Sequence, residues 1–451
     1  MQRQLIFKIV AIFILILLLL IPINMVNSLV YERMSLRNDV VSEIANSYSK
    51  SQQIKGPVLI IPYSKLSYNT EDKKYYQRKG TLYFLPEQLN MTGYLTVEKR
   101  SRGIYEARVY NSKNKMTGSF DIPKDYGVKE NLEDYQFGQP FLAIGISDTR
   151  GIGNQSTVIF DNKTLSIKPG TAGSKLGSGI HAQVTLTDAK LSGNFPFEIQ
   201  FDLKGTSTFN LMPVGKETSV TIDSNWPHPS FSGSFLPISH DIKNEGFTAT
   251  WQTNLFASDI ENKFKDCLTN KQCYSLENTN FQVGLVEPVD HYSKTNRAIK
   301  YGILFIGLTF FGFFIFEVVR KLAIHPIQYS FVGMSLAIFF LLLLSLSEYI
   351  GFALAYLCSA IACISIISFY ITGILENKKQ AIIFTCLLSL IYLMLYVLLN
   401  AEEYSLMMGS ILVFMILSTA MIATRRLDWY QVTTQNPLTK YTKQSKETHH
   451  E

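Results

Sequence analysis

Residues 299–319 read IKYGILFIGLTFFGFFIFEVV, and this stretch decides the fold. It contains about twenty mostly apolar residues, and at a helical rise of about 1.5 Å per residue such a run spans a bilayer core of roughly 30 Å. Apart from an N-terminal apolar run, the chain is polar before this stretch and mostly apolar after it. The stretch therefore marks the point where a water-facing region returns to the membrane.

Composition indicates the same division. The 451-residue chain is 47% hydrophobic and only 17% charged, too apolar for an ordinary soluble protein, while its first two thirds are too polar for a membrane bundle. The net charge of +6 comes from scattered Lys and Arg residues, with short clusters beside apolar runs. Because no dense basic patch is present in the sequence, nucleic acid is not an expected partner. The apolar runs make the lipid bilayer the expected partner.

The N terminus carries Arg3 and Lys8 ahead of the apolar run 9–23, which is typical of a start-transfer segment. Such a segment is either a cleaved signal or a retained anchor. Residues 26–28, VNS, form a poor signal-peptidase site, so the sequence favours an uncleaved transmembrane anchor over residues 1–29.

An amphipathic pattern continues after the anchor. Val40, Ile44 and Tyr48 recur at a spacing of four, which predicts a juxtamembrane helix over residues 30–55. Gly56-Pro57 is expected to end this helix, because proline restricts the residue before it and cannot extend the hydrogen-bond ladder.

From Val58 onward the hydrophobic period changes to two. Ten or more short runs rich in β-branched and aromatic residues follow, separated by Gly, Pro, Asn, Asp and Ser, with no convincing long helix among them. Residues 197–203, FEIQFDL, place four apolar groups on one face and three polar groups on the other. The pattern predicts an all-β domain over residues 56–297, built as a sandwich or two fused sandwiches.

The two cysteines of this domain, Cys267 and Cys273, have five residues between them. A disulfide closing a small loop is favoured over two free thiols, and a metal knuckle would need a second cysteine pair. Cys358, Cys363 and Cys386 lie in apolar runs and are expected to act as small hydrophobic residues in lipid. No metal or cofactor site is predicted.

Four apolar runs follow the decisive stretch, at residues 329–346, 350–375, 381–399 and 404–423. With the N-terminal anchor the sequence thus predicts six transmembrane helices, five of them in a bundle over residues 298–424, and a tail over residues 425–451.

The short connectors predict the threading of these spans. Alternate connectors carry the basic pairs Arg320-Lys321, Lys378-Lys379 and Arg425-Arg426. The charged residues of the intervening connectors are all acidic, namely Glu348 and the pair Glu402-Glu403. By the positive-inside rule both termini are expected in the cytoplasm and residues 29–297 on the other side of the membrane.

Glu317 is the only charged side chain within the five later spans, apart from Lys300, which can reach the membrane boundary. It is either an intramembrane proton or ion site or a carboxylate paired with the nearby Arg320 and Lys321. The ion pair is favoured. Since no mid-span position carries a charge or a proline, ion-coupled transport is disfavoured.

Polar and aromatic residues are densest at residues 225–231, NWPHPSF. The two prolines around His228 fix an extended backbone and hold the imidazole in place, which would suit a ligand or an acid–base role. The favoured interpretation is a rigid corner in which Trp226 and Phe231 fill the β core.

A second cluster lies at residues 147–153, SDTRGIG. Asp148 and Arg150 are expected to form a salt bridge in a turn whose glycines supply the geometry. No phosphate-binding loop, nucleophile elbow, HExxH motif or paired-carboxylate motif occurs in the sequence, so no catalytic residue is assigned. Asp148, Arg150, Trp226 and His228 are binding candidates.

Together these motifs resemble the CreD family, the bacterial inner-membrane proteins linked to cell-envelope integrity and colicin tolerance. They run in the same order from about residue 31 to residue 430: Tyr31-Glu32-Arg33, GPVLIIP at 56–62, SDTRGIG, SNWPHPSFSGSFLP at 224–237, AIKYGILFIGLTFFGFFIFE, HPIQY and LLLLSLSEY. The resemblance implies an inner-membrane location, a periplasmic β domain, and a role in envelope stress under two-component control that is connected with the β-lactam response.

Two functions are therefore considered. The first is a non-enzymatic envelope protein whose β domain binds a periplasmic protein or envelope component. The alternative is a membrane-bound periplasmic enzyme or carrier acting on a lipid-linked or cell-wall substrate, with Asp148, Arg150 and His228 near one site. Convergence of these three side chains in one cleft would favour the alternative.

Overall fold

The computed structural model describes residues 2–69, 74–128, 131–184, 192–270, 273–287, 291–320, 324–374, 378–400 and 405–425. The chain divides into two compact units. Arg37–Pro288 form a β unit, and Met1–Leu36 together with Val289–Glu451 form a helical unit. Several residues of the threading prediction, namely Lys321, Glu402, Glu403 and the tail from Arg426, lie outside the described residues.

The helices are α1 (Gln2–Ser47), α2 (Leu255–Ser258), α3 (Ile260–Asn270), α4 (Tyr274–Glu277), α5 (His291–Lys300), α6 (Gly302–Arg320), α7 (Pro326–Ile350), α8 (Phe352–Ile374), α9 (Lys378–Asn400) and α10 (Ser405–Thr424).

The strands are β1 (Gln52–Asn69), β2 (Lys74–Phe84), β3 (Gln88–Arg102), β4 (Tyr105–Ile122), β5 (Tyr135–Phe137), β6 (Phe141–Ile146), β7 (Ile152–Phe160), β8 (Lys163–Leu165), β9 (Ile167–Pro169), β10 (Gly179–Gln183), β11 (Gly193–Thr206), β12 (Thr208–Met212), β13 (Glu217–Ser224), β14 (Pro229–Gly233), β15 (Ser239–Lys243), β16 (Gly246–Asn254) and β17 (Phe281–Leu285).

The β unit contains two sheets. The first runs in the order β14-β17-β12-β1-β6-β10-β9, with β2 and β5 also paired to β1, and the second runs β15-β16-β13-β3-β4-β11-β7-β8. Most neighbouring strands are antiparallel, but β1 is parallel to β12 and β3 is parallel to β13. The prediction of a large β domain is confirmed.

One hydrophobic cluster takes side chains from both sheets, including Ile60 and Leu142 from the first and Met91 and Phe201 from the second, each at most 2% exposed. Full burial of such a side chain stabilises the fold by roughly 1.5–3 kcal/mol. Trp251 of β16 is also fully buried in this cluster. In strands such as β3 and β13 buried and more exposed residues alternate, so one face packs in the shared core and the other faces outward, whereas β6 is buried at every position.

The N-terminal helix is part of the helical unit. Leu19, Ile23, Val26 and Val30, at helical spacing, are each at most 6% exposed, so α1 buries one face. A Cβ atom at Gly333 of α7 would lie 2.3 Å from Leu19 Cδ1, so glycine is required where the two helices approach. The sequence predicted α1 as an anchor separate from a five-helix bundle, whereas α1 packs against α7 of that bundle.

Two predicted boundaries are wrong. The amphipathic helix ends at Ser47 and not at residue 55, because β1 begins at Gln52 and pairs with β12 from its first residue. Gly56-Pro57 therefore lies inside a strand, with a cis peptide bond. The β unit also ends before residue 291, where the polar helix α5 begins.

The decisive stretch is interrupted. Ile299 and Lys300 end α5, and the apolar helix α6 starts only at Gly302, after a bend of 47°. α1, α7, α8 and α9 are each long and apolar enough to cross a membrane, and α5 with α6 is a fifth candidate within the described residues. α10 occupies the place of the sixth predicted span.

Candidate functional site

The SDTRGIG segment forms a braced turn between β6 and β7. Asp148 caps a short 3-10 turn, Thr149–Gly151, and its carboxylate accepts hydrogen bonds from Arg150 Nη2 at 2.6 Å and from the Lys50 backbone N–H at 2.9 Å. Hydrogen bonding from the Arg150 guanidinium holds the pKa of Asp148 well below its ordinary value, and the same contact raises the pKa of Arg150. The predicted salt bridge is thus present in the turn.

This turn fixes the segment where the chain enters the β unit. Arg150 Nη1 donates to the carbonyl of Asn46 at 2.5 Å. The fully buried Gln52 side chain donates to the carbonyls of Asp148, at 3.0 Å, and Lys204, at 2.8 Å. Gly151 lies so close that a Cβ atom there would be 2.3 Å from the Lys204 carbonyl oxygen. Asp148 and Arg150 therefore brace the end of α1 against β11.

The NWPHPSF segment is the corner where the chain leaves one sheet for the other, since β13 belongs to the eight-stranded sheet and β14 to the nine-stranded sheet. Trp226 Nε1 donates to the carbonyls of His228 and Val286, both at 3.1 Å. The Arg108 guanidinium lies 5.7 Å from the centre of the Trp226 ring and pairs with Glu287. Trp226 thus ties the corner to the segment where the chain leaves the β unit.

His228 contributes mainly its backbone to this corner. Its carbonyl accepts hydrogen bonds from Trp226 Nε1 and from the Val286 backbone N–H at 3.2 Å, and its ring packs edge-on against Trp226. Phe231, further along, packs against the buried Trp251. The structure gives the segment the bracing contacts of a corner.

The two clusters are not joined by a direct polar contact among the described residues. In the described parts of the chain, no hydrogen bond or ion pair joins Asp148 or Arg150 to Trp226 or His228. Nor does any group of three His, Cys, Asp or Glu side chains among the described residues have the geometry to hold a metal ion. Each cluster serves its own chain crossing.

Cys267 near the end of α3 and Cys273 before α4 are joined by a disulfide, with 4.3 Å between their Cα atoms. Cys267 is buried against the β core, whereas the following helix α4 begins with the exposed Tyr274. The bridge therefore closes the short loop between two helices that precede β17.

In the helical unit, Glu317 is 5% exposed and forms an ion pair with Lys8 of α1. Its second carboxylate oxygen accepts a hydrogen bond from the Tyr329 hydroxyl at 2.8 Å, and Lys8 Nζ also donates to the Ile324 carbonyl at 2.7 Å. Among the described residues Glu317 is thus an ion-paired carboxylate whose partner is Lys8. The side chains of Arg320 and Lys321, the partners predicted from the sequence, lie outside the described residues.

A second ion pair lies at the opposite end of α7. Arg33 of α1 is 3.6 Å from Glu348, whose carboxylate also accepts from the Tyr292 hydroxyl at 3.0 Å. Lys8 and Arg33 are about 25 residues apart, or about 38 Å along a helix. The two pairs therefore attach α1 to the other helices at points whose separation along the helix exceeds the roughly 30 Å of a bilayer core.

The family comparison agrees with this architecture. Residues 4–430 match the model of the family described as inner membrane protein CreD. The inner membrane protein CreD of Escherichia coli (strain K12) is 34% identical over 433 residues, which is 95% of each chain. The chain belongs to the CreD family. Together with its apolar helices, this membership establishes an inner-membrane, multi-pass location.

Solved structures add no functional argument to the CreD assignment. The M1 zinc metallopeptidase from Deinococcus radiodurans has 5% identity and a TM-score of 0.21, covering 45% of this chain and 42% of that one. Native yeast LTA4 hydrolase has 11% identity and a TM-score of 0.20, covering 50% and 35%. Such scores do not establish a common fold.

Sequence reasoning missed two features of this CreD protein. It assigned Lys8 only to the threading signal, although a lysine at the edge of one apolar helix and a carboxylate at the edge of another are a recognisable pair. It also missed a row of polar side chains across the eight-stranded sheet. These side chains become neighbours only because β3 pairs in parallel with β13, a strand far away in the sequence.

Proposed function

We propose that this protein is a non-enzymatic inner-membrane component that supports cell-envelope integrity and the response to envelope stress. Its β unit binds a periplasmic protein or another envelope component, and its helices anchor that unit in the membrane. Membership of the CreD family and the chain order, with a large β unit inserted between the first apolar helix and the later ones, support this proposal.

The proposed threading has six spans, with both termini in the cytoplasm and the β unit in the periplasm. Its support is the charge pattern. The basic residues Lys378 and Lys379 begin α9, whereas the acidic Glu348 lies near the C-terminal end of α7. In the proposed threading these two helix ends lie on opposite sides of the membrane. Basic residues are retained on the cytoplasmic side of membrane proteins. A periplasmic β unit is also the oxidising setting that the Cys267–Cys273 bridge requires.

One observation carries the non-enzymatic proposal. The residues of the β unit that are best suited to binding or acid–base chemistry are engaged in bracing it. Asp148 and Arg150 hold the incoming chain, and Trp226 and the His228 carbonyl hold the outgoing one. An acid–base pair for catalysis must instead be directed at a shared substrate position. These residues therefore favour a unit of fixed shape that acts by binding.

Photocrosslinking in intact cells tests the binding proposal. A photoreactive amino acid is placed at Arg150, Tyr94 or His228, and the captured molecules are identified, with Phe256, which is 96% exposed, as the control position. We expect a discrete protein or cell-wall adduct at one of the three positions that is absent at Phe256. Identical lipid adducts at all four positions would contradict a binding unit.

A second experiment separates binding from catalysis. His228→Ala at an unchanged level of folded protein is expected to retain envelope function in a strain lacking the native copy, because within the described structure the exposed ring of His228 makes only an edge contact with Trp226. Loss of function with a normal unfolding temperature would instead favour the membrane-bound enzyme or carrier.

A further inference from the structure

The outward face of the eight-stranded sheet is concave, and the depression in it has a volume of about 800 Å³. Along β3 the side chains alternate, so that Met91 and Leu95 are buried in the core while Thr92 and Tyr94 are exposed on this face. β4 and β11 alternate in the same register. The exposed positions of neighbouring strands therefore form continuous rows.

The central row contains four polar or aromatic side chains, two of them acidic. Asp223 is paired with Tyr94, Tyr94 with Lys113, and Lys113 with Asp202, one on each of four adjacent strands. Side chains at paired positions lie about 4.5–5.5 Å apart at their Cβ atoms. The row therefore presents an acid, an aromatic ring, a base and an acid across three strand spacings, or about 14 Å from the first strand to the last.

A parallel row lies two residues along each strand. There Thr92 is paired with Lys115, and Lys115 with Gln200. Lys115 also forms an ion pair with Glu198 at 3.0 Å, and Glu198 accepts a hydrogen bond from Gln200 Nε2 at 2.7 Å. These contacts hold the second row in a fixed arrangement beside the first.

Two members of the central row are left open, whereas Asp223 accepts a hydrogen bond from Thr248 Oγ1 at 2.6 Å. Over the residues that the structure describes, neither the Lys113 ammonium nor the Asp202 carboxylate has a hydrogen-bond or ion-pair partner. The Tyr94 ring is 49% exposed. An exposed ring of this size with an unpaired lysine and carboxylate in the same concave surface has the composition of a ligand site, in which a few polar groups orient a ligand against an apolar platform.

We propose that this concave face binds a neutral oligosaccharide chain, with one sugar ring stacked on Tyr94 and its hydroxyl groups hydrogen-bonded by Lys113 and Asp202. The proposal rests on the proposed function, because it names the ligand class and the position of the binding surface of the β unit.

The chemistry of the face selects this ligand. Sugar hydroxyl groups both donate and accept, which matches the donors Lys113 and Lys115, the acceptors Asp202 and Asp223, and the amide of Gln200, which does both. The C–H face of a pyranose ring is apolar and packs on an aromatic ring. With Glu198, which pairs with Lys115, the charged groups of the face are two basic and three acidic side chains. The face therefore has no excess positive charge to attract an anion, and it favours a neutral ligand.

Other ligands fit less well. A polyphosphate or acidic polymer would approach Asp202 and Asp223 as well as the lysines, and like charges at contact cost binding energy. An apolar chain would leave the lysines and aspartates desolvated without partners. A flat protein partner is an outcome that the experiment below distinguishes.

Titration calorimetry with the full chain in lipid nanodiscs tests the proposal. Detergents with sugar head groups are left out because they would occupy the same face. The probes are the hexamer of N-acetylglucosamine and cellohexaose, with a polyphosphate of similar length as the charged control. We expect saturable binding of at least one neutral hexamer and no binding of polyphosphate.

Variants assign this binding to the face. Tyr94→Ala is expected to weaken binding at least tenfold and Tyr94→Phe to retain it, since stacking needs the ring and not the hydroxyl. Lys113→Ala weakens binding about threefold to tenfold by removing one hydrogen-bond donor to a sugar hydroxyl. Tyr274→Ala, which removes an 81% exposed ring in α4, leaves binding unchanged.

The outcomes separate the two proposals. Absence of saturable binding of both neutral hexamers, or equal affinity of wild type and Tyr94→Ala, overturns the oligosaccharide site. If crosslinking at Tyr94 then captures a protein, the binding unit stands with a different ligand. If crosslinking finds no partner at any position while a hexamer still binds, the sugar site stands and the wider envelope role is the part that fails.

Discussion

Gly151 occupies a position where one methyl group matters. A Cβ atom there would lie 2.3 Å from the Lys204 carbonyl oxygen and 2.5 Å from Gln52 Nε2, both held in the bracing network. Overpacking of a fixed site costs about 1–3 kcal/mol. We therefore expect Gly151→Ala to lower the thermal unfolding midpoint of the β unit, measured on the full chain by intrinsic fluorescence.

Gly284→Ala is the matched control for that substitution, because its Cβ would meet no atom closer than 3.6 Å. It should leave the midpoint nearly unchanged. Equal midpoints for Gly151→Ala and Gly284→Ala would show that the turn gives way and does not brace the chain.

Asp148 makes the stability of the same turn depend on pH. Its pKa is lower in the folded protein than the ordinary value of 3.8, chiefly because of the hydrogen bonds from Arg150. Such a group adds stability above its unfolded pKa and loses it as the pH falls through the folded pKa. Asp148→Asn should therefore unfold at a lower temperature than wild type at pH 7, and the difference should shrink steadily below about pH 4.

The comparison for Asp148 is Asp202→Asn, since in the described structure Asp202 has no ion-pair partner to lose. Its midpoint should follow wild type between pH 7 and pH 4. A difference between Asp148→Asn and wild type that stays constant down to pH 2 would mean that the carboxylate contributes through packing and not through charge.

At the scale of elements, long apolar runs were the most predictable. α7, α8 and α9 begin and end within about four residues of the predicted spans, because twenty apolar residues fix a membrane helix by length alone. The end of α1 was predicted less well. Residues 48–55 are compatible with either structure, and pairing of β1 with β12, some 150 residues away, decides for the strand.

The place of α1 among the helices could not be read from its own sequence. The buried face through Leu19 and Val30 becomes visible only when Gly333 of α7 is next to it. In contrast, the individual motifs SDTRGIG and NWPHPSF were correctly interpreted as a turn and a corner, since glycine and proline constrain the backbone locally.

The Lys8–Glu317 pair provides a prediction at this scale. Glu317→Lys leaves two like charges at a mostly buried site, and breaking a buried pair costs about 3–5 kcal/mol. We expect a lower aggregation temperature in detergent for this variant, and partial recovery when Lys8→Glu is added, since the exchanged charges attract again.

Lys300→Ala serves as the control for the charge exchange because Lys300 is an exposed residue at the end of α5. It should keep the wild-type aggregation temperature. If the double variant is no more stable than Glu317→Lys alone, the carboxylate owes its place to Tyr329 and the Ile324 backbone and not to α1.

For the molecule as a whole, the sequence predicted a β unit inserted into a membrane chain but not the surface that the unit offers. The period-two pattern assigns each side chain to a face of its strand, whereas strand order decides which side chains become neighbours. Tyr94 and Asp223 are 129 residues apart and meet only because β3 and β13 pair in parallel. Functional surfaces of this kind are therefore properties of topology.

The threading is the last prediction at this scale. If the β unit is periplasmic, a cysteine at the exposed Ser101 position will react with a membrane-impermeant maleimide in intact cells, whereas a cysteine at the exposed Lys378 position will react only after the membrane is permeabilised. Both variants are made with Cys358, Cys363 and Cys386 replaced by Ser, and Cys267 and Cys273 are left in place because their disulfide does not react with maleimide. Labelling of both sites after reduction and permeabilisation checks that each thiol is accessible. The reverse pattern, with Lys378→Cys labelled first, would place the β unit in the cytoplasm, where its disulfide would not persist and where no oligosaccharide of the envelope would reach the face around Tyr94.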